Sequence, residues 1–96
     1  MFEIIETENY SEWFGGLRDD RAQNRIALRL RRISLGNLGD FKHVGDGVNE
    51  LRIDYGPGYR VYFIRQGAKL IMLLAGGDKS TQDRDIARAR ALARSI

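Results

Sequence analysis

Apolar and polar residues alternate most regularly between Glu50 and Phe63. Leu51 and Ile53 interleave with Glu50, Arg52 and Asp54, and Val61 and Phe63 interleave with Arg60 and Tyr62. A period of two puts successive side chains on opposite faces of a strand, so two strands are predicted, joined through Gly56-Pro57-Gly58. Pro57, whose φ is held at about −65°, and Gly58, free to take a positive φ, suit the two central positions of a type II turn. Burying Leu51, Ile53, Val61 and Phe63 then leaves Arg52, Arg60 and Tyr62 together on the opposite, open face, with Tyr55 and Tyr59 packing across the turn. Two guanidiniums and a phenol on such a surface form a platform for a phosphate and a base.

The remaining elements follow from the same reading. Met1 to Thr7 is short and weakly alternating, which suits a first strand. Asn9 or Ser11 is placed to cap a short helix carrying Trp13, Phe14 and Leu17, and Asp19 or Asp20 opens a longer helix that runs to about Leu35 and stops at Gly36 and Gly39. In that helix Ala22, Ile26, Leu30 and Ile33 fall within an arc of about 80°, and Arg21, Arg25, Arg29 and Arg32 fall within an adjoining arc of similar width. The arginine row is either a solvated face whose stems cover apolar surface or a surface for RNA or an acidic partner.

Phe41 to Val44 reads as a brief strand ending at Gly45-Asp46-Gly47, and Leu70 to Ala75, an unbroken apolar run, reads as a central strand. Gly76 to Thr81 is expected to end it. Ser80 and Asp83 have capping-box spacing for a last helix over Gln82–Arg94, whose thin apolar face of Ile86, Ala89, Leu92 and Ala93 predicts weak docking. The order β, α, α, four strands, α predicts an α+β domain over residues 1–96, with its helices packed on one face of a mainly antiparallel sheet of four to five strands.

Composition narrows the chemistry. The 96 residues contain no cysteine and one histidine, which removes disulfide frameworks and thiolate metal sites and disfavours a histidine-rich metal centre; no metal and no cofactor is expected. No apolar run is long enough to cross a bilayer, and the first residues are acidic where a signal peptide is basic, so a cytoplasmic protein without membrane contact is expected. The net charge is +3, and lysine occurs only at Lys42, Lys69 and Lys79. Arginine is the better bidentate phosphate ligand, which favours an anionic partner.

Walker loops, nucleophile elbows and His-Glu-x-x-His are absent. What remains is Arg52, Arg60, Tyr62, Asp78 and Lys79, with Lys42, His43 and Glu50 near them. Such a set suits RNA cleavage by the adjacent 2′-hydroxyl, which needs a proton acceptor, cations for the phosphorane and a proton for the leaving 5′-oxygen. Arg52, Arg60 and Lys79 suit the phosphorane. Glu50, His43 or Asp78 suits the base, and Tyr62 suits stacking or proton transfer. Structural readings compete: His43 as a strand residue, Asp78 as a partner of the helix end, and Arg52 as a partner of Glu50 or Asp54.

The chain also resembles the RelE/ParE superfamily of addiction-module toxins, in its HigB-like branch. The resemblance lies in Arg25-Ile26 to Arg32, Gly36-Asn37-x-Gly39-Asp40-x-Lys42, Gly45-Asp-Gly-Val48, Glu50-Leu51-Arg52, Gly58-Tyr59-Arg60-Val61-Tyr62 and Leu74-x-Gly76-Gly77-Asp78-Lys79-Ser80-Thr81-Gln82. It implies a toxin that cuts mRNA in the ribosomal A site without metal, is neutralised by a helix-turn-helix antitoxin, and meets operator DNA only through that antitoxin. Arg60 and Lys79 take the phosphate-binding positions by this resemblance, Arg52 is a second clamp, and Tyr62, Lys42, His43, Arg25, Arg29 and Arg32 are expected to bind RNA. Where RNA-cleaving relatives carry lysines this chain has Glu50 and Arg52, and the last helix lacks their late tyrosine, so Glu50 and Asp78 stand as alternatives for proton transfer. The superfamily also holds ParE-like inhibitors of DNA gyrase, which cut no RNA.

Overall fold

A computed structural model describes residues 1–96. Its elements are β1 (Glu3–Glu6), α1 (Glu8–Gly15), α2 (Asp20–Ser34), β2 (Phe41–Gly45), β3 (Val48–Ile53), β4 (Tyr59–Gln66), β5 (Leu70–Asp78), a single 3-10 turn (Lys79–Thr81) and α3 (Gln82–Arg94). The α+β class and the mainly antiparallel sheet are as expected. The sheet order is β1-β5-β4-β3-β2, and only β1 runs parallel to its neighbour.

The long helix starts where its sequence places it. Asp19 Oδ1 accepts from the backbone N–H groups of Arg21 and Ala22 at 3.0 and 3.2 Å, satisfying two donors that a helix start leaves free. For α1 the cap is Thr7, not Asn9 or Ser11. Thr7 Oγ1 accepts from Tyr10 N–H and donates to the Leu73 carbonyl at 2.8 Å, so one hydroxyl starts the helix and ties it to β5. Asn9 instead donates to the Leu74 carbonyl and Ser11 to Glu6.

The helices do not share one face of the sheet. One face carries Leu51, Ile53, Val61, Phe63, Ile71 and Leu73, packed with Tyr10 of α1 and Ile26 and Ile33 of α2. The other carries Val48, Tyr62, Ile64, Leu74 and Ala75, covered by Ala89, Ile86, Leu92 and Ala93 of α3. Burial on both faces explains why Leu70 to Ala75 shows no alternation. A register shift between Tyr62 and Phe63 against β5 also places Leu74 and Ala75 consecutively in the α3-side cluster.

The expected break at Gly76 does not occur, since β5 runs on to Asp78. A Cβ on Gly76 would collide with the Trp13 ring of α1, and one on Gly77 with the Asp85 carboxylate of α3. These glycines let a helix from each side approach the strand closely and do not end it. The turn between β3 and β4 is also shifted: the Gly58 N–H bonds to the Tyr55 carbonyl at 3.2 Å. Gly56, with φ 57°, takes the first central position and Pro57 the second, and Gly58 follows at φ 81°. Tyr55 and Tyr59 diverge rather than pack together. The Tyr55 hydroxyl donates to Asp19 and its ring lies under Arg25, while Tyr59 packs on Trp13.

The thin apolar face of α3 is supplemented by polar anchors at both ends. Arg90 Nε and Arg94 Nη1 reach Asp46 Oδ2, in the turn between β2 and β3, at 2.9 and 2.6 Å. At the other end Gln82 Nε2 donates to Glu50 Oε2 of β3 at 2.7 Å, and Thr81 donates to the buried Asp85 within the helix start itself. No helix is long and apolar enough to cross a membrane.

Two outcomes are expected. Gly76→Ala and Gly77→Ala each overpack a helix–strand contact and lower the unfolding free energy by about 1–3 kcal/mol, measured by urea denaturation. The hydrogen bond from Arg90, helped by Arg94, holds the Asp46 carboxyl below its ordinary pKa against an opposing effect of burial. A depressed folded-state pKa stabilises above the ordinary carboxylate range, and that contribution is lost as pH falls through the lowered value. Asp46→Asn therefore lowers the melting temperature at neutral pH, and the difference from the parent shrinks in acid.

Candidate functional site

The register of β2, β3 and β4 aligns Lys42 with Glu50, Glu50 with Tyr62, and Arg52 with Arg60. The Glu50 carboxylate is fully buried among them. Its Oε2 accepts from the Tyr62 hydroxyl at 3.1 Å and from Gln82 Nε2, at the start of α3, at 2.7 Å. Its Oε1 faces Arg52 Nε at 3.4 Å and Lys42 Nζ and Arg60 Nε at 3.9 Å each. Burial, the nearby Glu50 charge and the hydrogen bond to it push the Tyr62 phenol far above its ordinary pKa, so it stays protonated and donates. A buried carboxylate needs such partners, because the cost of removing it from water is otherwise uncompensated.

Arg52 and Arg60 extend from this carboxylate into a cleft of about 490 Å³. Its walls also carry Arg29, Lys79, Asp40 and Asp54, and Gly56-Pro57-Gly58 form its lip. Four cations against two carboxylates leave the cleft net positive, which suits an anionic ligand. Arg60 Nη1 is held by the carbonyls of Gly58 and Tyr59 at 3.0 and 3.3 Å, and its side chain is only 11% exposed. The expected open position of Arg60 is therefore corrected: it sits in the floor of the cleft, while Lys79 is exposed at the rim.

Gly58 brings the turn against both residues. A Cβ there would lie 3.4 Å from Arg60 Nη1 and 3.5 Å from Lys79 Cβ. Arg29 reaches in from α2, donating to the carbonyls of Arg52 and Asp40 at 3.0 and 3.3 Å. Burial lowers its pKa, opposed by the Asp40 charge. No group of three or more His, Asp or Glu side chains is gathered in metal-binding reach.

Residues 12–94 match the family described as Phage derived protein Gp49-like (DUF891). The chain belongs to that family. It is a toxin–antitoxin-associated family related to RelE-type toxins, and such a family implies an antitoxin partner. An uncharacterized protein of Haemophilus influenzae (strain ATCC 51907 / DSM 11121 / KW20 / Rd) is 48% identical over 94 residues, covering 98% of this chain and 95% of the relative. The matched stretch includes every residue of the cleft, from Arg29 to Lys79.

Several residues of this Gp49-like chain lie elsewhere than expected. Tyr62 is sealed under α3 and presents no face to a base. Glu50 is equally sealed, with Oε2 accepting from Tyr62 and Gln82 and Oε1 facing the cations. Asp78 Oδ1 accepts from the N–H and hydroxyl of Ser80 at 2.8 and 2.5 Å. That arrangement also replaces the predicted Ser80 cap, and the residue before α3, Thr81, makes no side-chain cap.

His43 packs edge-on against Phe41, 5.8 Å between ring centroids, and Phe41 packs on the α1/α2 side of the sheet. Alternation thus puts His43 on the face opposite Glu50 and Lys42. Lys42 is half-exposed and outside the cleft walls. Arg25 and Arg32 are exposed and, with Leu28, Arg29, Ile53 and Asp54, line an adjoining hollow of about 210 Å³. The carboxylates that do face the cleft, Asp40 and Asp54, were not singled out by the sequence pattern as site residues. Asp54 carried a signal in its outward position one residue before the turn, whereas Asp40 is placed only by the loop after α2.

Truncation separates the buried hub from its solvated neighbour. Glu50→Ala leaves Arg60 without its counter-charge and costs about 3–5 kcal/mol, while Lys42→Ala, at a half-exposed pair, costs less than about 1 kcal/mol. Urea denaturation of the two variants checks the order.

Proposed function

We propose that this protein is the toxin of a toxin–antitoxin module and cleaves ribosome-bound mRNA in the cleft formed by Arg29, Arg52, Arg60 and Lys79. The observation that carries this reading is the gathering of these four cations around one cleft, with Arg60 and Arg52 braced from behind by a buried carboxylate. The family's association with toxin–antitoxin systems supports it.

In the reaction the 2′-oxygen forms a bond to the neighbouring phosphorus and loses its proton, while the bond from phosphorus to the 5′-oxygen breaks and that oxygen gains a proton. The products are a 2′,3′-cyclic phosphate and a 5′-hydroxyl. Negative charge grows on the non-bridging oxygens, and cations fixed in advance at that place lower the barrier most. Arg60 in the floor and Lys79 at the rim take this role, and Arg52 clamps the phosphate. Asp54 or Asp40, the carboxylates in the cleft wall, takes the 2′-hydroxyl proton in preference to Glu50, which is buried, and Asp78, whose Oδ1 accepts from Ser80. The exposed Arg25 and Arg32 hold neighbouring RNA phosphates, and a helix-turn-helix antitoxin covers the cationic surface when the toxin is silent.

The test is primer extension on a message in a reconstituted translation system, with ribosomes present or omitted. Cuts within codons that appear only when ribosomes are present are expected. Lys79→Ala and Arg52→Ala, both at solvated positions, reduce cleavage by about 10²–10³-fold and leave the melting temperature within a few degrees of the parent. Intact mRNA together with inhibition of DNA supercoiling would replace this reading by gyrase binding.

A further inference from the structure

Gln82 has no part in the cleft walls, yet its amide is the shortest contact made to the Glu50 carboxylate, at 2.7 Å. The two oxygens of Glu50 are divided in use. Oε2 is held by two neutral donors, Tyr62 and Gln82, and Oε1 faces the three cations. The neutral donors come from β4 and α3, and they fix the rotation of the carboxylate and with it the place of Oε1.

Arg60 depends on that place more than the other cations do. Arg52 and Lys42 are about half exposed, so water can take over from Oε1. Arg60 is 11% exposed, and its Nε is buried with no hydrogen-bond partner and 3.9 Å from Oε1. Its Nη1 is bound to the turn carbonyls of Gly58 and Tyr59. The guanidinium is thus held at one corner by the turn and at the other by the charge of Glu50. A carboxylate free to rotate would leave the second corner unguided.

We propose that Gln82 is a positioning residue, acting through Glu50 to hold the Arg60 guanidinium in the floor of the cleft. This rests on the RNA-cleavage reading only where activity is concerned, since the placement of Arg60 is observable without a substrate. Through it the first residue of α3 is coupled to the phosphate site, although α3 lines no part of that cleft.

The test uses the full chain labelled with ¹⁵N and the arginine Nε–H resonances, with Arg60 assigned by its loss in Arg60→Lys. In Gln82→Ala the Arg60 Nε–H signal shifts and exchanges with solvent about tenfold or more faster, the change expected when a charged hydrogen-bonding array loses a member. Gln82→Met keeps nearly the same shape and removes the donor, and it gives the same shift. It also decides the matter should the alanine variant fail to fold. In multiple-turnover cleavage on ribosomes both variants lower kcat about tenfold or more with KM unchanged, the pattern for a group whose effect is felt only in the transition state.

An unchanged Arg60 resonance in Gln82→Met overturns the proposal, as does a methionine variant that restores both resonance and kcat, because packing would then be the whole role of Gln82. A parent protein that leaves mRNA intact overturns the cleavage reading instead, and the Arg60 resonance still decides the positioning.

Discussion

The structure turns on one buried carboxylate. Glu50 lies at the centre of β3 and draws to itself Lys42 from β2, Arg60 and Tyr62 from β4, its own neighbour Arg52, and Gln82 from α3. An ionised carboxylate in an apolar interior is costly to bury, and a single cation rarely offsets that cost. Here two neutral donors and three cations share the task. The side chains that satisfy the carboxylate include two of the cations in the cleft. Packing demand and site geometry are therefore one constraint, and the guanidiniums are ordered before any ligand arrives.

The same constraint explains why α3 belongs to the fold although its apolar face is thin. Ala89, Ile86 and Leu92 provide modest apolar area. Two polar attachments supplement them: Gln82 to Glu50 and the two arginines on Asp46. Of these the Asp46 pair is solvated and screened, so it contributes little by itself, whereas the Gln82 contact reaches a fully buried group. The glycine pair in β5 completes the arrangement by letting Asp85 lie against the strand on one side and Trp13 on the other.

Much of this was legible in the residues. The period-two alternation of Glu50 to Phe63 placed Arg52, Arg60 and Tyr62 on one face, and the helical arc of Ala22, Ile26 and Ile33 marked the buried side of α2. What alternation does not contain is whether the second face is open. Tyr62 and Glu50 read as surface groups because polar residues usually are, and the strand pattern carries no information about α3 lying over them. Gly76 and Gly77 misled for a related reason: glycine both ends strands and admits close neighbours, and the choice depends on Trp13 and Asp85, which are distant in sequence. Asp40 and Asp54 entered the site only because the loop after α2 and the β3–β4 turn meet in space.

The corrected positions alter the chemistry in a consistent direction. An open platform of Arg60 and Tyr62 would bind a nucleotide by stacking and charge together. The folded chain has no aromatic ring in the cleft walls; it has fixed cations, two wall carboxylates and a backbone lip. On the proposed reading such a site would grip a phosphate and leave the base unread, and any preference for particular bases would come from whatever presents the strand to the cleft. A chain of this size with net charge +3 attracts many anions without discrimination. Selectivity through a presenting partner fits a cleft that supplies charge and geometry alone, and it is consistent with the proposed dependence of cleavage on the ribosome.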